Sequence, residues 1–225
     1  MKIGIIGAGF VGRSVAKLAL AAGHDVMLSN SRGPQTLFSL GPMIGCQVGS
    51  AEEAAEFGEV VVIAVPLSAI HSLPVSGIQD KHVIDAVNYY PERDGPIEAL
   101  ESGETTTSEL LAQILPAATV TKAFNAIPMT QLESDGLPAG AENRRALPLA
   151  GDSEKGKAIA AALYEAFGFD MWGGDRFCMC GSLPRKTREA LRDKALGRKS
   201  RICTAGRKMR FCYDLCDEFC TITDC

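Results

Sequence analysis

The six residues Gly7-Ala8-Gly9-Phe10-Val11-Gly12 constrain this chain more than any other feature. They follow directly on a short β-type run, Ile3-Gly4-Ile5-Ile6, and open a stretch from Phe10 to Ala22. In that stretch Val11, Val15 and Leu18 recur at helical spacing. Gly23 then marks a turn, and His24-Asp25-Val26-Met27-Leu28-Ser29 reads as a second strand. Strand, helix and strand in so short a span make one parallel crossover unit. In that context a GxGxxG run has a mechanism. Its first glycine permits the tight turn, its second lets a pyrophosphate approach the backbone, and its third lets the helix pack closely on the sheet. The helix N-terminus offers free N–H groups and the positive end of its dipole to the phosphates. The expectation is a dinucleotide held at Gly7, Ala8, Gly9, Phe10, Val11 and Gly12; the alternative is a glycine-rich turn without a ligand.

Further along, the same alternation continues. A helix is expected near Gln35–Leu40, and Ser50 is placed to cap a short helix through Phe57. Val60-Val61-Val62-Ile63-Ala64-Val65 is apolar without alternation, as a central parallel strand covered on both faces must be. Val83 to Val87 and Thr119 to Phe124 read as further strands, with a helix from Thr107 to Leu115 between them and Ser108 as its candidate cap. Leu147-Pro148-Leu149-Ala150-Gly151 reads as a strand that its proline assigns to an edge. Asp152 or Ser153 caps a helix over Glu154–Phe167, and another strand begins at Phe169. Strands alternating with helices predict an α/β fold: a Rossmann-type, doubly wound and mostly parallel sheet.

The end of the second strand selects the dinucleotide. An NAD site places an Asp or Glu about 20 residues past the glycines to hold the ribose 2′-hydroxyl. Here the residues are Leu28-Ser29-Asn30-Ser31-Arg32-Gly33-Pro34, with no carboxylate. Ser31 can donate to a 2′-phosphate, and Arg32 can bind one with a charge-assisted fork. NADP is the expected cofactor, against the alternative that Arg32 is a solvated loop residue. Ligands of open α/β sheets lie at the C-terminal strand ends. That singles out Val65 and Pro66 for the nicotinamide side, and Asn88 and Asn125 for the carboxamide or a second substrate. Turn-forming asparagine is the competing reading for the last two. Asp85 is odd inside an apolar strand, where it would partner a neighbouring loop or belong to the site; His71 has no partner at a telling spacing; and Lys122 reads as a solvated strand-end residue, the alternative being a contact with an anionic ligand. No Ser/His/Asp arrangement and no metal-ligand set occurs in residues 1–171, and no catalytic side chain is assigned. Hydride passing between two flat rings can do without one, because it needs the rings held within about 3–3.5 Å. Carbonyl reduction usually wants a general acid.

Composition divides the chain. Of 225 residues, 46% are hydrophobic and 22% charged, the globular range. The formal net charge of −4 argues against a nucleic-acid or membrane-surface footprint. Residues 1–171 hold 11 Lys+Arg against 20 Asp+Glu and a single cysteine, Cys46. Residues 172–225 hold 12 against 7 and the other seven cysteines. No clean signal-peptide core or spanning segment is found, so a cytoplasmic protein is expected. The two expected parts are a dinucleotide-binding domain over 1–171 and an atypical, basic, Cys-rich tail over 172–225.

The segments Met1–Gly9, Ser29-Asn30-Ser31-Arg32-Gly33-Pro34, Ala64-Val65-Pro66 and Val120-Thr121-Lys122-Ala123-Phe124-Asn125 resemble the coenzyme F420-dependent NADP oxidoreductases. The resemblance covers about residues 1–171. It implies a Rossmann domain with a small C-terminal extension over the cleft, often a homodimer, moving hydride between NADPH and F420. By that resemblance Gly7, Gly9 and Gly12 face the pyrophosphate, Ser31 and Arg32 the 2′-phosphate, and Pro66 the nicotinamide. The partners implied are small redox molecules. Reduction of a small carbonyl or imine, or NADP binding without catalysis, are the alternatives. Past Phe169 the pattern of the family ends, and Trp172-Gly173-Gly174-Asp175-Arg176-Phe177-Cys178-Met179-Cys180 leads into the Arg- and Cys-rich run. An out-of-frame tail, a genuinely divergent tail and a metal or redox module compete there. Cys212, Cys216 and Cys220 would share a helix face, but no paired CxxC or His completes a zinc set.

Overall fold

A computed structural model of the chain describes residues 1–174. The tail readings, with Cys178, Cys180, Cys203, Cys212, Cys216, Cys220 and Cys225, lie outside the described residues. Eight strands form one sheet in the order β3-β2-β1-β4-β5-β6-β7-β8. They are β1 (Lys2–Ile6), β2 (Asp25–Ser29), β3 (Gln47–Gly49), β4 (Val60–Ile63), β5 (His82–Asp85), β6 (Thr119–Lys122), β7 (Ala146–Ala150) and β8 (Asp170–Gly174). The helices are α1 (Phe10–Ala21), α2 (Leu40–Ile44), α3 (Ala51–Phe57), α4 (Val75–Ile78), α5 (Pro91–Asp94), α6 (Glu98–Glu101), α7 (Thr107–Ile114) and α8 (Glu154–Ala166). Neighbouring strands are parallel except β6 and β7. The first six follow the doubly wound order 3-2-1-4-5-6.

The unbroken apolar run of β4 is explained by two cores, one on each face of the sheet. Val60 and Val62 join Ile3, Ile5, Val15, Leu28 and Tyr164 beneath α1 and α8. Val61 and Ile63 join Ile6, Ala55, Val83 and Leu111 beneath α3 and α7. All four β4 side chains are therefore buried, as a period-2 strand between two helical layers requires.

Local signals set most boundaries. Ser50 accepts from the Glu53 amide at 3.1 Å while the Glu53 carboxylate accepts from the Ser50 amide at 2.7 Å, a complete capping box on α3. Ser153 accepts from the Gly156 amide at 3.2 Å and opens α8. Three expectations are corrected and one strand is new. The segment near Gln35–Leu40 is a 3-10 turn (Pro34–Leu37) followed by α2. Pro42 stands in the first turn of α2, where its missing N–H breaks no bond within that helix, but it interrupts the i→i−4 ladder back to Phe38 and so separates α2 from the turn before it. β3 escapes notice because three residues carry no period. α7 is capped by Thr106, which exchanges bonds with Glu109 (3.2 and 2.7 Å), and Ser108 points inward instead. β7 is internal, between β6 and β8. Its register with β6 is a single pair, Lys122↔Ala150, and Pro148's carbonyl accepts from the Tyr164 hydroxyl at 2.9 Å. A proline is tolerated there because so little of the β6-facing ladder forms.

Candidate functional site

The C-terminal ends of β1, β2, β4, β5 and β6 converge on one edge of the sheet. Gly7, directly after β1, has φ +116°, a conformation that side-chain-bearing residues avoid. Its amide donates to the Ser29 carbonyl at 3.0 Å, joining the loop to the end of β2. A Cβ on Gly7 would lie 2.3 Å from the Ala64 carbonyl oxygen and 3.2 Å from Val65 Cγ1. The residues that follow β4 therefore close over the glycine loop. A Cβ on Gly12 would fall 1.8 Å from the Gly7 carbonyl oxygen, so α1 can approach only with glycine at that turn.

Gly9 differs from both. It is the N-cap of α1, and a Cβ there would meet nothing within 4 Å. No side chain caps α1 and no acidic residue stands in its first turn, so the first N–H groups face this open space. Arg13 adds positive charge beside them, its Nε donating to the Ala8 carbonyl at 2.8 Å. Space, donors and charge suit a pyrophosphate. Phe10 is 65% exposed at the same helix start, and Val11 is half-buried.

At the end of β2, Ser29 is fully buried and its hydroxyl donates to the Ile5 carbonyl at 3.0 Å. Asn30 organises the next loop: its Oδ1 accepts from the Arg32 amide at 3.0 Å and its Nδ2 donates to Thr36 Oγ1 at 2.8 Å. Ser31 and Arg32 are exposed, and the Arg32 guanidinium has no hydrogen bond or ion pair among the described residues. A free cation with no carboxylate in its loop fits a phosphate monoester on the ribose.

Beyond β5 and β6 the asparagines meet. Asn88 Nδ2 donates to the Asn125 carbonyl at 3.0 Å. Asn125 follows Phe124, whose φ of 62° is a left-handed conformation rare for a bulky residue. Tyr164 holds that turn, its hydroxyl accepting from the Phe124 amide at 2.8 Å. Pro66 is exposed at the start of a 3-10 turn (Leu67–Ser72), on which His71 is also exposed. Among the described residues no hydrogen bond joins Pro66 to the asparagines directly.

The link runs through two residues that sequence reasoning missed. The Asp94 carboxylate accepts from the Ser68 amide at 3.4 Å and the Tyr90 amide at 3.0 Å. Arg93 pairs with it at 2.8 Å and donates to the Asn88 carbonyl, also at 2.8 Å. Burial pushes the Asp94 pKa up, but bonds from Arg93, Tyr90 and Ser68 outweigh it and hold it below the usual aspartate value. Proline at the first position of α5 marks a turn; nothing local in the sequence aims Asp94 at a loop 26 residues earlier.

Lys122, expected to be solvated, is buried. Its ammonium pairs with Asp85 at 3.1 Å, with side-chain exposures of 1% and 0%. Neither charge faces the cleft. Among the described residues no group of three His, Cys, Asp or Glu side chains could hold a metal ion.

A glycine loop of this geometry on a 3-2-1-4-5-6 sheet defines a dinucleotide-binding Rossmann fold. Residues 2–89 match the family described as NADP oxidoreductase, coenzyme F420-dependent. Rat metalloreductase STEAP3 is 32% identical over 174 residues, which is 75% of this chain and 32% of the rat protein. The chain thus spans about a third of the length of that curated relative. A hypothetical protein of Sinorhizobium meliloti superposes with a TM-score of 0.65 and 29% identity, over 77% of this chain and 83% of its own. A candidate F420-dependent NADP-reductase of Arthrobacter sp. FB24 gives the same TM-score at 23% identity, covering 77% and 84%. At that identity the second likeness speaks for the fold alone.

Proposed function

We propose that this chain passes a hydride between NADPH and the deazaflavin coenzyme F420. The observation that carries the reading is the end of β2, where the Arg32 cation is free, no carboxylate stands in its loop, and Gly9 leaves open space before the α1 N-terminus. In this reading Gly7, Ala8, Gly9, Phe10, Val11 and Gly12 hold the pyrophosphate. Ser31 and Arg32 hold the 2′-phosphate, Val65 and Pro66 border the nicotinamide, and Asn88 and Asn125 orient the carboxamide or the acceptor ring. NADPH supplies the hydride. The chain supplies orientation and exclusion of water, and solvent supplies the proton that completes reduction of the acceptor.

Asp85 and Lys122, the titratable groups that end β5 and β6, are buried and bonded to each other, so neither is offered to a substrate as a general acid. That favours exchange between two redox cofactors over carbonyl or imine reduction, which needs one. Action in the cytoplasm, a homodimer, and a boundary between a 1–171 domain and a 172–225 tail belong to the same proposal. The homodimer is supported by the resemblance to the family, the boundary by the shift in charge and cysteine content. Among the described residues no helix is long and apolar enough to cross a membrane.

The test mixes purified protein with NADPH and oxidised F420 and follows the F420 absorbance. Loss of absorbance at a rate proportional to protein supports the reading. NADPH binding without that change, alongside turnover of a cyclic imine, would replace it with the imine reductase alternative; binding with neither reaction would leave a non-catalytic NADP-binding protein. Coding DNA around residues 170–176 decides whether another frame restores the family's ending.

A further inference from the structure

Resting on the reading above, we infer that the buried Asp85–Lys122 pair is a positioning device for the acceptor end of the cleft. It fixes the Asn88–Asn125 bridge and so governs turnover without governing NADPH affinity. The pair joins the last residues of β5 and β6, which are directly in register. Asp85 accepts from the Val87 amide at 2.8 Å, and Lys122 Nζ donates to the Val87 carbonyl. Both polar atoms of Val87 are therefore gripped, and the next residue is Asn88. On the other side, Asn125 stands three residues after Lys122, beyond the left-handed turn at Phe124 that Tyr164 holds. The Asn88 amide closes the circuit on the Asn125 carbonyl at 3.0 Å.

Every hydrogen of the ammonium is used. Lys122 donates to Asp85, to the Val87 carbonyl and to Thr107 Oγ1 at 3.0 Å, while Ser108 Oγ donates to Asp85 at 2.6 Å. A buried ion pair is weak evidence of stabilisation, because apolar residues of similar volume serve a core as well or better. Here Val83, Ile84 and Val120 beside the pair are apolar, yet the charged pair stands where the ends of β5 and β6 meet the cleft edge. Directional bonds can aim Val87 and Asn88 in a way that apolar packing cannot. The strained φ at Phe124 belongs to the same constraint, since strain persists only where its surroundings over-determine it.

The experiment uses the full chain and the double variant Asp85→Asn/Lys122→Met, which leaves no buried charge unpaired. NADPH affinity is expected to stay within about twofold of wild type, while kcat for F420 reduction falls at least about tenfold. The NMR signals of the Asn88 side-chain amide, assigned by their loss in Asn88→Asp, are expected to exchange with solvent faster than in wild type. Unchanged exchange, or NADPH affinity lost in proportion to kcat, overturns the inference. Thr107→Val removes one acceptor of Lys122 without touching charge, so it decides the question if the double variant does not fold. Faster Asn88 exchange at retained NADPH affinity supports the inference there, and unchanged exchange overturns it. If wild-type protein fails to reduce F420, the functional reading falls separately, and NADPH titration with the Asn88 signals still decides the role of the pair.

Discussion

Alanine at Gly9 and alanine at Gly12 are the same chemical change three residues apart, and the structure assigns them opposite consequences. At Gly9 the backbone has φ −73° and ψ −172°, open to any residue, and the new methyl meets nothing within 4 Å. Losing glycine stiffens the unfolded chain, worth about 0.4–1 kcal/mol of stability. Alanine is a poorer N-cap than glycine by a comparable amount, about 0.5–1 kcal/mol. The two nearly cancel, so the thermal midpoint of Gly9→Ala should stay within about 3 °C of wild type. Yet its methyl occupies the space assigned to the pyrophosphate. One displaced backbone-to-phosphate hydrogen bond costs about 1.5–3 kcal/mol, which is a rise of about 10- to 150-fold in the NADPH Kd. At Gly12 the methyl would stand 1.8 Å from the Gly7 carbonyl oxygen, an overlap with backbone that only movement of α1 relieves. Overpacking of that kind costs about 1–3 kcal/mol or more, a fall of about 2–12 °C. Thermal unfolding with and without NADPH, together with a fluorescence titration, separates the two effects. Gly9→Ala protein that melts like wild type and binds NADPH equally well would refute the placement of the pyrophosphate.

Two further substitutions test other parts of the same edge. Arg32→Ala removes an exposed guanidinium with no partner among the described residues, so stability should not change. NADPH binding should weaken by about 10- to 150-fold through loss of a charge-assisted contact, while NADH binding stays unmoved; equal weakening of both in paired titrations would remove the 2′-phosphate from this loop. Asp94→Asn breaks the tie between the Ser68 and Tyr90 loops and should cost about 1–3 kcal/mol in urea unfolding at neutral pH. Because the folded Asp94 pKa is depressed, the stabilisation is complete above the unfolded value of about 3.9 and disappears as pH falls through the lower folded value. The gap between wild type and Asp94→Asn should therefore be flat above about pH 5 and narrow below about pH 4. A gap that shrank with rising pH would contradict that sign.

Features whose cause lies within a few neighbouring residues were legible in the sequence. The glycine loop, the apolar run that begins at Val60 and the Ser50 cap each express a local rule, and each appears where that rule puts it, although β4 ends at Ile63 rather than Val65. The helix expected near Gln35–Leu40 was displaced: a 3-10 turn occupies Pro34–Leu37 and the α-helix starts only at Leu40. The buried pair is a different case. Asp85 stands out as a carboxylate inside an apolar strand, but Lys122 looks ordinary because its burial depends on a partner 37 positions away. No window along the chain contains both. The signal exists one level higher, in topology. Once the strand order 3-2-1-4-5-6 is taken from the glycine loop and the alternation of elements, β5 and β6 must be neighbours, and parallel strands ending at the same edge bring their last residues into register. An acid ending one strand and a lysine ending the next then predict the pair. Asp94 has no such route. It reaches the Ser68 amide from a short turn whose path no regular element dictates, and only the folded loops bring the two together.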